Sequence, residues 1–152
     1  MGLLQQRDIE RAVAHQGAVT GVLATPEGGS WISAGTDDSV RRWGAEDRCN
    51  LLVNFGGTHN HATKARRMAL DAAGRLLFYP TGSSVAVYDV DTGEREGLLQ
   101  GGHFESINCC VYNERSEELY TAGNDCRVVV WSPARSPGGD PHEDEDKDDW
   151  SD

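Results

Sequence analysis

The chain has 152 residues, 38% of them hydrophobic, with 18 glycines and five prolines, the composition of a turn-rich globular domain. Its formal charge of −11 is unevenly placed: residues 140–152 hold eight acids against Lys147, and the remainder is only mildly acidic. That balance argues against direct nucleic-acid binding, which needs a basic face to neutralise phosphates, and no apolar run is long enough to span a membrane.

Period-2 alternation bounded by turn residues predicts strands along almost the whole chain. Residues 1–14 read as the end of a preceding unit or insertion. The first set of strands is Val19–Leu23, Trp31–Ala34, Ser39–Trp43 and Leu51–Phe55, with a turn at Pro26-Glu27-Gly28-Gly29. The second is Arg67–Asp71, Leu76–Tyr79, Ser84–Val90 and Arg95–Gln100, with turns at Ala73-Gly74 and Asp91-Thr92-Gly93. The third is Ile107–Tyr112, Glu118–Thr121 and Arg127–Trp131, after which Pro133 and Pro137 forbid a fourth strand. Four cysteines (Cys49, Cys109, Cys110 and Cys126) make no C-x-x-C pair, so no metal site is expected, and no cofactor motif is present. Cys109 and Cys110, adjacent in an apolar run, read as small hydrophobes pointing to opposite faces of a strand.

A repeat organises these strands. His15 precedes Asp37 by 22 residues and Asp37 precedes Trp43 by six; His103, Asp125 and Trp131 repeat both spacings 88 residues later. Ser33 and Thr121 each stand four residues before the Asp. One worn unit of about 44 residues fits between them. It keeps Tyr88 at the Trp place, but Gly82 stands for the Asp, Phe78 for the Ser and Asn60 for the His.

Four-stranded units of this length resemble the blades of a WD40-type β-propeller. The expected fold is therefore all-β, a partial propeller of three blades at 15–57, 58–101 and 102–135, the last lacking its outer strand. Three blades fall short of the roughly four that close a ring, so the chain reads as a fragment of a larger propeller. Residues 136–152 read as a disordered acidic tail with Trp150 as a candidate anchor.

Ser33, His15 and Asp37 have the residue types of a hydrolase triad, and Thr121, His103 and Asp125 repeat them. A triad needs one exposed nucleophile beside an oxyanion hole. Duplication, with an indole partner each time, suits a buried structural tetrad of His, Ser/Thr, Asp and Trp instead. No catalytic residue is expected.

Further segments carry a narrower resemblance: Ala14–Val19, Gly35-Thr36-Asp37 with Arg41-Arg42-Trp43, Asn50–Gly56, Phe78–Tyr88, Asn108-Cys109-Cys110-Val111, and the acidic ending with Trp150. They resemble the C-terminal part of the Cockayne syndrome A family of DNA excision repair WD-repeat proteins. The resemblance implies a nuclear substrate receptor of a cullin-4 RING ubiquitin ligase, acting in transcription-coupled nucleotide-excision repair. Its implied partners are proteins, namely the damaged-DNA-binding adaptor of cullin-4 ligases and transcription-coupled repair factors. Most adaptor-contacting elements of that family are not in this chain, and the Trp-Asp-x-Arg signature of adaptor-binding propellers does not follow Trp43, Tyr88 or Trp131. The alternatives are a general interaction propeller of another nuclear complex, or a truncated product without a function of its own.

Overall fold

The computed structural model describes residues 13–61 and 64–134. Its described residues form ten strands and no helix. The first sheet holds β1 (Val19–Ala24), β2 (Ser30–Gly35) and β3 (Val40–Gly44). The second holds β4 (Ala69–Leu70), β5 (Leu76–Thr81), β6 (Ser84–Asp89) and β7 (Arg95–Leu99). The third holds β8 (Ile107–Asn113), β9 (Glu118–Gly123) and β10 (Val128–Trp131). Every sheet is an antiparallel meander in chain order, as blades of a propeller are.

Short polar side chains build the hairpins by binding their own backbone. Thr25 Oγ1 donates to Ser30 O at 2.7 Å and closes the β1–β2 turn. Asp71 Oδ1 accepts from the Arg75 and Leu76 amides, and Asp89 Oδ1 from those of Asp91 and Thr92. The last of these turns needs Gly93, whose φ is +75° and where an added Cβ would stand 2.3 Å from Asn54 O.

Two apolar layers hold the blades together. Ile32, Ala34 and Val40 of the first blade pack on Leu77, Tyr79, Ala86 and Tyr88 of the second. On the opposite face of the second blade, Phe78, Val85 and Val87 pack on Ile107, Cys110 and Leu119 of the third. Phe78 stacks on Tyr112, ring centroids 5.6 Å apart, across that second layer. Cys110 is buried there, and burial pushes its thiol up to about 12; Cys109 lies on the other face of β8, half-buried.

The first strands of the blades are joined through one segment. The Arg66 amide donates to Thr20 O at 3.0 Å, the Arg67 amide to Asn108 O at 3.0 Å, and the Cys110 amide to Arg67 O at 2.8 Å. A short stretch of main chain thus bridges β1 on one side and β8 on the other.

The first blade departs from expectation, because its outer strand at Leu51–Phe55 does not form. Pairing with β3 begins, with Asn50 bridged to Trp43 and the Leu51 amide bonded to Arg42 O. Asn50 Oδ1 then takes the Leu52 amide at 2.9 Å and Leu52 adopts φ +56°. That side-chain turn competes with the sheet ladder and stops it. Phe55 is instead buried, edge-on to Tyr88 with centroids 5.9 Å apart.

Candidate functional site

The polar residues singled out by the repeat come together in two buried chains of hydrogen bonds. In the first blade β2 brings Ser33, β3 brings Trp43, and the β2–β3 turn brings Asp37; His15 reaches in from the segment before β1. Trp43 Nε1 donates to Ser33 Oγ at 2.9 Å, Ser33 Oγ lies 2.7 Å from His15 Nε2, and His15 Nδ1 lies 2.9 Å from Asp37 Oδ1. With the imidazole proton on Nδ1, every donor meets an acceptor: indole to hydroxyl, hydroxyl to imidazole, imidazole to carboxylate. The third blade repeats it. Trp131 Nε1 donates to Thr121 Oγ1 at 2.9 Å, Thr121 Oγ1 lies 2.8 Å from His103 Nε2, and His103 Nδ1 lies 2.9 Å from Asp125 Oδ2.

Each carboxylate also gathers amides. Asp37 accepts from the Gln16 amide and from Ser39 Oγ, with Arg41 Nη1 at 3.4 Å. Asp125 accepts from the Phe104 and Arg127 amides. Burial alone would raise both carboxyls. Hydrogen bonds from Ser39, His15 and Gln16 outweigh it for Asp37, and those from His103, Arg127 and Phe104 do so for Asp125, so both sit below the ordinary carboxylate range. The turn leaves no spare room: a Cβ on Gly35 would stand 2.6 Å from both Asp37 Oδ1 and His15 Nδ1.

Chemically this arrangement fastens the strands and turn of a blade to one another. Ser33 is 1% exposed, its oxygen accepts the Trp43 indole proton and it faces His15 Nε2 at 2.7 Å, so the hydroxyl is enclosed within the blade. Trp31 stacks on Trp43 with centroids 5.1 Å apart at 12°, on the face turned away from the second blade. Among the described residues, no group of three or more His, Cys, Asp or Glu side chains is placed to hold a metal ion.

The middle blade corrects the spacing argument by one residue. In the regular blades the tryptophan pairs with the residue two before the hydroxyl: Trp43 with Trp31 before Ser33, and Trp131 with Leu119 before Thr121. Tyr88 pairs with Leu77, so Tyr79, not Phe78, occupies the hydroxyl position. The cause is the β5–β6 hairpin. Only Gly82 and Ser83 lie between the Thr81–Ser84 pair, and Gly82 turns at φ +58°, so this hairpin is one residue shorter than its counterpart. Phe78 faces the third blade and is free to be aromatic.

Tyr88 keeps the tryptophan's place but not its partner, since its hydroxyl donates to Gly56 O at 2.9 Å. Asn60, at the histidine position, turns to the first blade. Its Nδ2 donates to Thr20 Oγ1 at 2.8 Å and Gly35 O at 3.0 Å, and its amide donates to Asp38 Oδ1 at 2.6 Å. The Tyr79 hydroxyl is buried with no hydrogen-bond partner among the described residues. Sequence spacing marked Asn60 as a substitution but carried no signal of its new partners, which come from the neighbouring blade. Trp150 and residues 136–152 lie outside the described residues.

Comparison with known proteins agrees with this geometry. The model of the WD domain, G-beta repeat family matches residues 96–132. The WD repeat-containing protein ATCSA-1 of Arabidopsis thaliana is 39% identical over 147 residues, covering 95% of this chain and 32% of that protein. A THO complex subunit 6 homolog of Danio rerio is 24% identical over 133 residues, covering 83% of this chain and 40% of its own. The chain thus spans well under half the length of these curated relatives. Among solved structures, that of U3-55K superposes with a TM-score of 0.65 and that of the RRP9 WD40 repeats with 0.66. Each is 21% identical, covering 79% of this chain and 37% of its own, and each speaks for the fold alone. With three antiparallel blades, two four-residue fastenings and these likenesses, the described residues form part of a WD40-type β-propeller, and residues 96–132 match the WD domain, G-beta repeat.

Proposed function

We propose that this chain is the substrate-facing part of a WD-repeat receptor of a cullin-4 RING ubiquitin ligase, working in the nucleus in transcription-coupled nucleotide-excision repair. The observation that carries the reading is the 39% identity to the plant WD repeat-containing protein ATCSA-1 along 95% of the chain. The Cockayne syndrome A-like segments identified in the sequence point the same way. The chain has no catalytic centre of its own in this reading. Its serine and threonine hydroxyls at the repeat positions serve the blades, and the surface is left to bind proteins.

An antibody raised to residues 136–152 would capture the native polypeptide from nuclear extract, with its companions read by mass spectrometry. The reading expects cullin-4 and its damaged-DNA-binding adaptor among them, enriched after transcription-blocking damage. A polypeptide arriving in a nuclear complex free of any cullin would overturn it in favour of a general interaction propeller.

A further inference from the structure

We infer that the cleft where the first strands of the three blades meet is a docking site for an acidic segment, and that this chain's own residues 140–152 occupy it. The cleft has a volume of about 460 Å³ and is lined by Thr20, Val22, Arg66, Arg67, Asn108 and Cys109 among others. Arg66 is half-buried, while Arg67 and Lys64 are exposed. In a chain of net charge −11, these three cations form no ion pair with any described acid, whereas Arg41 and Arg42 pair with Asp37 and Asp91.

The main chain carrying two of the cations is also held in advance. The Arg66 and Arg67 amides are bonded to Thr20 O and Asn108 O, so the stretch that carries them is fixed to two blades. The site itself therefore orders little beyond its side chains on docking, and the ordering cost falls on the ligand segment. Guanidinium forks match carboxylates in pairs, and the buried Met68 with Val22 gives apolar footing for one aromatic ring.

Residues 140–152 match that description, with eight acids, one lysine and Trp150. The chain after Ala134 reaches on the order of 60 Å when extended, against a radius of gyration of roughly 14 Å for a compact body of this size. A tethered segment acts at an effective concentration in the millimolar range, so weak individual contacts suffice. Three cations are too few for a nucleic-acid track, and the tail is the acidic partner always present. Docked, it competes with any acidic segment of another protein.

The test uses the whole chain, whose two lysines are Lys64 and Lys147. Carbodiimide coupling followed by peptide mass spectrometry should join Lys64 to carboxylates of residues 140–152. In mixtures of isotope-labelled and unlabelled protein, the joined peptides should come from one chain. Coupling should fall several-fold at about 0.5 M salt, where the Debye length shrinks to a few ångströms, and in the Arg66→Glu, Arg67→Glu double variant. A variant with the acids of 140–149 replaced by Asn and Gln leaves the blades untouched. In it, alkylation of Cys109 should speed up at least threefold, with exposed Cys49 and Cys126 as internal references. Lys64 coupling only between chains, no coupling to the tail, or a Cys109 rate unchanged by tail neutralisation would each overturn the inference.

Discussion

The Asn60 side chain donates to Thr20 Oγ1 at 2.8 Å, a bond that runs from the position of a blade's own histidine into the preceding blade. Asn60 is 1% exposed and Thr20 itself donates to Ala34 O, so the group ties a loop to the core of the first sheet. Removing it leaves Gly35 O and Thr20 without that donor. Asn60→Ala should therefore cost about 1–3 kcal/mol, read as a shift in the urea midpoint. Asn60→Asp should cost at least as much, because a carboxylate offers acceptors to two acceptors. A variant as stable as the parent would mean the loop is held by other contacts.

The fastening residues were legible because their constraint is local and repeated. Both regular blades keep the His-to-Asp and Asp-to-Trp spacings, and each hydrogen bond links residues those spacings position. The hairpin meanders followed from alternation and from Gly, Asn and Asp at turns. What escaped the sequence depends on neighbours. A single missing residue in the β5–β6 hairpin moved the register so that Tyr79, not Phe78, took the hydroxyl position. The outer strand at Leu51–Phe55 has the apolar pattern of a strand, yet one Asn side chain captured the Leu52 amide and ended it. Neither a one-residue slip nor a competing side-chain bond changes hydrophobic periodicity, so periodicity alone does not report them.

Acid should loosen the two regular blades through Asp37 and Asp125. Both carboxyls are depressed in the fold from an ordinary value of 3.8, so the unfolded chain takes up protons first as pH drops. The stability they supply is whole above about 3.8 and is lost as pH falls from there through the folded values. Asp89 and Glu118 are depressed too and add slope of the same sign. Urea midpoints measured from pH 7 down to pH 2 should fall below pH 4, and an Asp37→Asn, Asp125→Asn double variant should give a shallower fall. An unchanged slope would mean these carboxylates do not govern acid stability.

Arg42 and Asp91 meet at 2.6 Å between the first blade and the β6–β7 turn. The two ends of that pair are unequal. Asp91 is 74% exposed, so Asp91→Asn should cost under about 1 kcal/mol, and the cost should vanish in high salt. Arg42 also donates to Ser30 Oγ at 3.0 Å and to Val90 O at 3.2 Å, and its side chain is largely covered. Arg42→Ala should cost on the order of 1–3 kcal/mol and keep most of that cost in salt. Equal, salt-sensitive losses would assign the contact to charge alone.

The Tyr79 hydroxyl is the one buried side-chain polar atom without a partner among the described residues. Tyr79 holds the backbone position of Ser33 and Thr121 in the regular blades, and Asn60, at the histidine position, has turned to the first blade. Burial pushes the phenol from 10.0 up to about 12, with the nearby Arg66 charge pulling the other way. A raised value means the fold favours the protonated form, so this contribution is complete below pH 10 and is lost as pH rises toward 12. Tyr79→Phe removes both the unpaired hydroxyl and its titration. It should raise stability at neutral pH by about 1 kcal/mol and make the alkaline fall shallower, leaving the parts due to Tyr88, Tyr112 and Cys110, which burial also raises. Chemical denaturation of the two proteins at pH 7 and across pH 9–12 checks this. A destabilised Tyr79→Phe protein would show that the hydroxyl has a partner after all.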